Sequence, residues 1–219
     1  MPATTVHVGL GLVIAAALLG EYYDRRSLSA VVLVLILPEL DAIPGWWLPG
    51  AHRALFHTFV LATVAGGLLY YDTRLRETSW LRDRAGERGV YVAWVALAVH
   101  VLAHLLLDWA HLDGINVFYP ITDQFYRLEG ELVLSTSEGL VQTFVEFGED
   151  GADAGRRGTT ETVHVATPAD PEPGRGLDRE VERRVPIAVR GWQLYVLLLG
   201  VFTVGARRLQ REPSDERQQ

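Results

Sequence analysis

Three ionisable residues recur at helical spacing in the middle of the chain, within the segment HVLAHLLLDWAHLDGINVFYP. His100, His104 and Asp108 follow one another at four-residue intervals, so they lie on one face of a helix. The residues between them are Val, Leu and Ala, which belong in lipid or in a protein core. An imidazole and a carboxylate one turn apart can bind one metal ion, and ionisable groups in a membrane helix usually mark a site. The alternative is a helix end at the membrane interface, where His and Asp contact water.

Further His and carboxylate residues lie at the ends of other apolar segments. His7 begins the first apolar segment, Glu39 and Asp41 follow a Pro at the end of the second, and the motif AHRALFHT opens the third. These positions predict a metal site with catalytic side chains around it. The candidate metal ligands are His7, Asp41, His57, His104 and Asp108, and the candidate catalytic residues are Glu39, His52 and Arg53.

Five apolar segments must position these residues, which predicts an all-α polytopic membrane protein with about five transmembrane helices and a small β-rich extramembrane insertion. The segments are 6–22, 28–37, 51–71, 90–110 and 186–206. The second covers only half a bilayer at about 1.5 Å per residue. We therefore divide the chain into a four-helix membrane core (1–110), an extracytoplasmic excursion (111–185), a last transmembrane helix (186–206) and a polar cytoplasmic tail (207–219).

The excursion contains short strand-like runs between polar loops. Residues 131–147 alternate loosely between β-branched or aromatic residues and others, which predicts a hairpin or two short strands. Residues 159–166 suggest a third strand. The segments 148–158 and 168–184 are rich in Gly, Pro and charge, which favours loops or disorder.

Arginine placement predicts the orientation in the cell membrane. The Arg25–Arg26 turn, the Arg-rich loop 72–89 and the Arg207–Arg208 tail should lie inside, because positive residues mark the cytoplasmic side. With five crossings the N-terminus then lies outside, and six of the seven His residues fall at the outer end. We interpret this sorting as one site at the outer membrane face rather than as unrelated interfacial residues.

Composition limits the chemistry. The chain has no Cys, so any metal is held by His, Asp, Glu or backbone, and disulfides are excluded. That donor set suits Zn²⁺ first, with Mn²⁺, Fe²⁺ or Mg²⁺ as alternatives. The net charge of −7 argues against a nucleic-acid partner. All basic residues are Arg, and an acidic chain without Lys is typical of proteins from halophilic archaea.

In these motifs the sequence resembles the YdjM-type family of membrane-bound metal-dependent hydrolases, formerly a domain of unknown function. The resemblance covers residues 5–125. It departs from the family pattern at Glu39, where the family has Asp, at Phe56 (Thr) and at Thr58 (Ser). The matching residues are Thr5-Val6-His7 with Gly11, Leu37-Pro38-Glu39-Leu40-Asp41, His52-Arg53-Ala54-Leu55-Phe56-His57-Thr58, and His104 and Asp108 with Gly114 and Pro120.

The resemblance implies a helical membrane protein with hydrolase activity. A looser similarity in motif order to zinc-dependent phospholipases C favours a phosphoester or lipid-type substrate, hydrolysed by a metal-activated water at the outer face. The partners expected are thus membrane lipid and a small-molecule or lipid substrate. Glu39 would bridge metals or act as general base, and His52 and Arg53 would support the ligands or hold substrate.

Two other functions stay open at this point. The same cluster suits a metal-handling or transport protein, but the inner halves of the apolar segments are Val, Ala, Leu and Gly, with Thr63 as the main polar exception. A third reading makes the excursion a binding module of a structural or interaction protein. Neither a P-loop nor a Gly-x-Ser-x-Gly motif is present, so nucleotide binding through a P-loop and serine catalysis have no support.

Overall fold

Helices supply most of the regular structure in the computed structural model, which describes residues 3–48, 50–148 and 151–210. The end of the predicted tail, 211–219, lies outside the described residues. The helices are α1 (Thr4–Leu18), α2 (Arg25–Ile36), α3 (Phe59–Tyr70), α4 (Trp80–Val99), the short α5 (Leu106–Trp109) and α6 (Gly191–Leu209).

Helix α2 continues as a tighter helix through the motif that carries two of the predicted site residues. Asp24 caps its start by accepting a hydrogen bond from the backbone N–H of Ser27 (2.9 Å). A 3₁₀-helical turn, Leu37–Ala42, follows directly, and Pro38 is tolerated there because its missing N–H falls in the first turn. The apolar run that was only half a bilayer long by sequence is thereby extended.

Helix α4 starts earlier than the sequence predicts and ends in a wide turn. The carboxylate of Asp72 accepts hydrogen bonds from the backbone N–H groups of Trp80 and Leu81, so the residues before Val90 form helix rather than the predicted loop. Gly86 interrupts this part with a φ of 67°. A π-helical turn, His100–Leu105, then joins α4 to α5, and such turns are frequent at functional sites.

Two described helical segments are long and apolar enough to cross a membrane, namely Arg25–Trp46 and Trp80–Trp109. Helix α1 is apolar but shorter, with 15 residues. Helix α3 begins at Phe59 instead of residue 51 and has 12 residues, because the preceding segment is irregular. The structure is therefore mostly helical with two candidate spans, and the five crossings predicted from the sequence are not supported by helix length and composition.

Helix α1 packs between α2, α4 and α6 and so fixes the position of the N-terminal motif. Leu19, Val31, Leu35 and Val99 are fully buried in the apolar core that these helices share. Against α6 the approach is close, because a Cβ atom at Gly200 would lie 2.5 Å from the carbonyl oxygen of Gly9. The N-terminal end of α1 is thus held beside the end of α4.

The excursion forms three small antiparallel sheets. The predicted hairpin in 131–147 is confirmed as β3 and β4, but the strand predicted over 159–166 is wrong. Thr162 Oγ1 there accepts a hydrogen bond from the N–H of Thr159 (2.9 Å), and such local bonds compete with a ladder. The strands β6 and β7 lie in the segment 148–158, which was predicted as loop or disorder. The strands are β1 (Ile115–Asn116), β2 (Phe125–Tyr126) and β7 (Arg156–Gly158) in one sheet of order β1-β2-β7, the pair β3 (Leu132–Ser135) and β4 (Gly139–Gln142), and the pair β5 (Glu146–Gly148) and β6 (Gly151–Asp153).

Candidate metal centre

The eight residues predicted for the site converge at one end of the helical bundle, and we call them the His/Asp cluster. Seven of them are buried, while Glu39 is half-buried. They come from α1 (His7), the 3₁₀ turn after α2 (Glu39 and Asp41), the irregular segment 51–58 (His52, Arg53 and His57), the π-helical turn (His104) and α5 (Asp108).

Asp108 lies in the middle of the cluster. Its Oδ1 accepts a 2.5 Å hydrogen bond from a guanidinium nitrogen of Arg53 and lies 3.3 Å from Nε2 of His7. Its Oδ2 lies 3.4 Å from Nε2 of His57 and 3.6 Å from Nε2 of His104. One carboxylate therefore lies close to four residues from three separate parts of the chain.

Asp41 is surrounded by hydrogen-bond donors. Its Oδ1 lies 2.6 Å from Nδ1 of His52, and its Oδ2 lies 2.8 Å from Nδ1 of His57. The backbone N–H groups of Arg53 and Phe56 also donate to Oδ2, each at 3.2 Å. Four donors fill the acceptor positions of this carboxylate, so its geometry suits the orientation of His52 and His57.

The hydrogen bonds of the imidazole rings decide which nitrogens are free to bind an ion. Nδ1 of His7 donates to the carbonyl oxygen of Ala103 (2.8 Å), and Nδ1 of His57 donates to Asp41. Nε2 of both rings is then a lone pair directed at the carboxylate of Asp108. Nε2 of His7 has no hydrogen-bond partner. Lone pairs that face each other in a buried site repel unless a cation lies between them.

The donor atoms form overlapping groups of the size that a metal ion requires. Within each group the possible ligand atoms lie within 4.8 Å of one another. Three carboxylates and one guanidinium, with neutral imidazoles, leave the cluster with a formal charge of −2, which is costly to bury without a cation. The residues therefore fit a divalent metal. The groups are His57, His104 and Asp108; His7, Glu39 and His104; and Asp41, His52 and His57.

Arg53 is buried, and its two terminal nitrogens both donate to groups inside the protein. Besides its ion pair with Asp108, it donates through Nη1 to the carbonyl oxygen of Gly114 (3.1 Å), and its side chain is 1% exposed. Its backbone φ of 66° is unusual for a residue with a side chain and is held by the hydrogen bonds of Asp41 and Asn116 to its peptide groups. This places Arg53 behind a predicted ligand rather than beside a substrate.

The start of the excursion covers this end of the bundle. Thr58 Oγ1 donates to the carbonyl oxygens of Val117 (2.9 Å) and Tyr119 (3.0 Å), which lie just after strand β1. His111 hydrogen-bonds Asp113, and this bond, assisted by Arg53, outweighs burial and lowers the pKa of the Asp113 carboxyl to about 2. The excursion is therefore joined to the site, a question that the sequence left open.

The sequence did not predict which backbone groups take part in the site. The carbonyl oxygens of Ala103 and Gly114 orient His7 and Arg53, but a backbone group leaves no signal in a residue pattern. Outside the cluster, Nε2 of His164 lies 3.1 Å from the buried carboxylate of Asp170.

Comparison with known proteins places these residues in a family. The family model described as YdjM inner membrane protein matches residues 1–167. The curated protein named inner membrane protein YbcI, from Escherichia coli strain K12, is 24% identical over 155 residues, which cover 68% of this chain and 84% of that protein. No solved structure matches the chain. The matched region contains the whole His/Asp cluster and the start of the excursion.

Proposed function

Because the chain belongs to the YdjM inner membrane protein family, we propose that it is a multi-pass membrane hydrolase that depends on a divalent metal and acts on a phosphoester or lipid-type substrate. The observation that carries this proposal is the convergence of Nε2 of His57, Nε2 of His104 and a carboxylate oxygen of Asp108 within 4.8 Å. These atoms are close enough to share one ion, since Nε2 of His57 lies 2.8 Å from Nε2 of His104 and 3.4 Å from Oδ2 of Asp108.

The donor set favours Zn²⁺, with Mn²⁺ or Mg²⁺ as alternatives, because nitrogen and oxygen ligands are present and thiolates are not. We assign His57, His104 and Asp108 to the ion first, with His7 completing the set through its unpartnered Nε2. A bound divalent ion would polarise a phosphoryl oxygen and lower the pKa of water toward about 7.

Asp41 was predicted as a metal ligand, and we now propose that it holds two imidazoles in place. Its hydrogen bonds fix the tautomer of His57, so that Nε2 of that ring stays unprotonated. His52 shares the same carboxylate and keeps a buried Nε2 without a hydrogen-bond partner. Arg53 neutralises part of the charge on Asp108 and fixes its direction.

Glu39 is suited to the role of general base. It is the half-buried member of the cluster, and a carboxylate oxygen of Glu39 lies within 4.8 Å of ligand atoms of His7 and His104. In the proposed reaction Glu39 accepts a proton from water as the water oxygen bonds to phosphorus. The bond from phosphorus to the leaving oxygen breaks, its electron pair stays on that oxygen, and the proton passes to it. The products are an alcohol and a phosphate with one ester bond fewer.

The orientation remains as the charge pattern predicts, with five crossings, the N-terminus outside and the cluster at the outer membrane face. The structure supports the common location of the site residues, because the C-terminal ends of α2 and α4 and the N-terminal ends of α1 and α3 meet there. From the acidic composition without Lys we further propose that the protein comes from a high-salt habitat, such as that of halophilic archaea.

Elemental analysis of the purified, detergent-solubilised protein tests the proposal. We expect about one or two equivalents of zinc or manganese in the wild type, and hydrolysis of bis(p-nitrophenyl) phosphate that a chelator abolishes. His57→Gln and Asp108→Asn should lose both metal and activity. The control His164→Gln, which alters an imidazole outside the cluster, should keep both.

Two other outcomes would change the conclusion. A protein that binds metal but hydrolyses neither phosphoesters nor carboxylic esters would favour the alternative, a metal-handling or transport protein. A wild-type protein that stays metal-free after metals are added back would overturn the metal site itself. Thermal unfolding would show that this protein is folded.

A further inference from the structure

A largely apolar cavity of about 450 Å³ lies between α2, α3 and the end of α4. Val34 of α2, Leu61 and Ala65 of α3, and Leu97 of α4 form its walls. Among the described residues that line it, His100 is the only one with an ionisable side chain. The volume falls within the range of about 300–1,000 Å³ that is usual for ligand sites.

The cavity walls come from the same segments that supply the His/Asp cluster. Pro38 and Leu40 line the cavity on either side of Glu39, and Phe56 directly precedes His57. His100 begins the π-helical turn that also carries His104, and the centroids of these two rings are 5.7 Å apart. One end of the cavity is therefore next to the proposed metal ligands.

The cavity opens at the surface of the helices, where hydrocarbon is the expected solvent. Two of its walls belong to the candidate membrane spans Arg25–Trp46 and Trp80–Trp109. The apolar side chains at its rim are partly exposed, for example Leu37 (47%), Leu40 (49%) and Leu61 (43%). A small water-soluble phosphoester would gain nothing from such a surface, whereas an alkyl chain can enter it from the bilayer without being exposed to water.

We propose that this cavity binds one hydrocarbon chain of a membrane lipid and thereby presents the phosphoester of that lipid to the His/Asp cluster. The proposal rests on the proposed hydrolase function and narrows its substrate from phosphoesters in general to lipids. An apolar channel beside a polar cluster matches the two parts of such a molecule, since its chain needs a dry wall and its headgroup needs charged ligands. His100, at the junction, lies where the two parts would meet.

Two synthetic phosphodiesters that differ only in chain length test this proposal. We expect wild-type kcat/KM to be at least tenfold higher for hexadecyl p-nitrophenyl phosphate in mixed micelles than for ethyl p-nitrophenyl phosphate. Ala65→Phe, which fills the cavity, should lower the hexadecyl value at least tenfold and leave the ethyl value unchanged. Val64→Phe on the same helix, at an exposed residue outside the cavity lining, should match the wild type for both esters. An equal loss for both esters in Ala65→Phe, or no loss, would overturn the proposal.

Photo-crosslinking separates chain binding from hydrolysis. A phosphatidylglycerol with a diazirine in one acyl chain, mixed into vesicles that contain the protein, should label the cavity walls on α3 and α4. Ala65→Phe should weaken this labelling, whereas Asp108→Asn should retain it, because the cavity does not include that residue. Labelling without hydrolysis would uphold the cavity and reject the hydrolase. Hydrolysis without chain-length preference, together with labelling outside the cavity, would uphold the hydrolase and reject the cavity as the site of the lipid chain.

Discussion

Asp41 and Asp108 show how the same residue type takes two roles a few ångströms apart. Asp108 accepts from Arg53 and lies 3.3–3.6 Å from Nε2 of three imidazoles, whereas Asp41 accepts from Nδ1 of His52 and of His57. The partners of each carboxylate, rather than residue type, therefore distinguish the proposed ligand from the proposed positioning group. At this scale the assignment can be tested by removing a charge while keeping the shape.

Asp41→Asn should weaken metal binding without abolishing it. The neutral amide oxygen would accept more weakly from Nδ1–H of His57, and the NH₂, in place of Oδ1, would oppose Nδ1–H of His52, because Oδ2 accepts from three N–H groups. Loss of such a supporting group typically lowers metal affinity about 10–100-fold. A zinc titration against a competing chelator measures this, with Asp113→Asn as the control for a carboxylate outside the cluster. A folded Asp41→Asn protein with no measurable binding would show that Asp41 is itself a ligand.

At the scale of elements, the irregular segment 51–58 is the connection that brings the site together. It follows the 3₁₀ turn of α2 and ends at Thr58, which caps α3 by accepting a hydrogen bond from the N–H of Val60 (3.2 Å). The same hydroxyl donates to Val117 in the excursion. One buried side chain thus joins a helix start, the cluster and the excursion.

Thr58→Val should destabilise the protein by about 1–3 kcal/mol, because the isosteric side chain removes a helix cap and the hydroxyl hydrogen bonds to the carbonyl oxygens of Val117 and Tyr119. Thermal unfolding of the solubilised protein, followed by circular dichroism, provides the measurement. Thr63→Val, at an exposed position of the same helix, is the matched control and should change stability by less than about 0.5 kcal/mol. Equal stability of the two variants would argue against this connection.

At the scale of the whole molecule, the His/Asp cluster and the Arg-rich loop 72–89 lie at different ends of the helical bundle. The His/Asp cluster lies at one end of the bundle, while Arg88 of α4 pairs with Asp24, at the start of α2, toward the other end. The excursion is fastened to the cluster end, where Nε1 of Trp46 donates to the carbonyl oxygen of Ala169 (2.9 Å). Such an arrangement defines one functional face, and its side of the membrane can be measured.

Cysteine labelling should place the two ends on opposite sides of the membrane, since the natural chain contains no Cys to interfere. A membrane-impermeant maleimide added to intact cells should label Ser137→Cys, in the excursion between β3 and β4. Glu77→Cys, in the Arg-rich loop, should be labelled only after lysis; both positions are exposed. Labelling in the opposite order would reverse the proposed orientation, and labelling of both in intact cells would exclude the crossing between them.

The sequence by itself determined which residues form the His/Asp cluster and that they share one end of the bundle. Helical spacing predicts that His104 and Asp108 lie on one helix face, and the Arg residues of the loops mark the opposite end of the bundle. Both signals depend on residue type and local period alone. The hairpin in 131–147 was likewise predictable from local alternation.

Only the tertiary structure decided how these residues are used. The 3₁₀ extension of α2 depends on packing that no local pattern encodes, and so does the loss of the expected strand over 159–166. The partner of Arg53 is 55 residues away in the chain, and the carbonyl oxygen that orients His7 is 96 residues away. Hydrogen-bond direction and burial arise from contacts between distant segments, so they became readable only once the chain was folded.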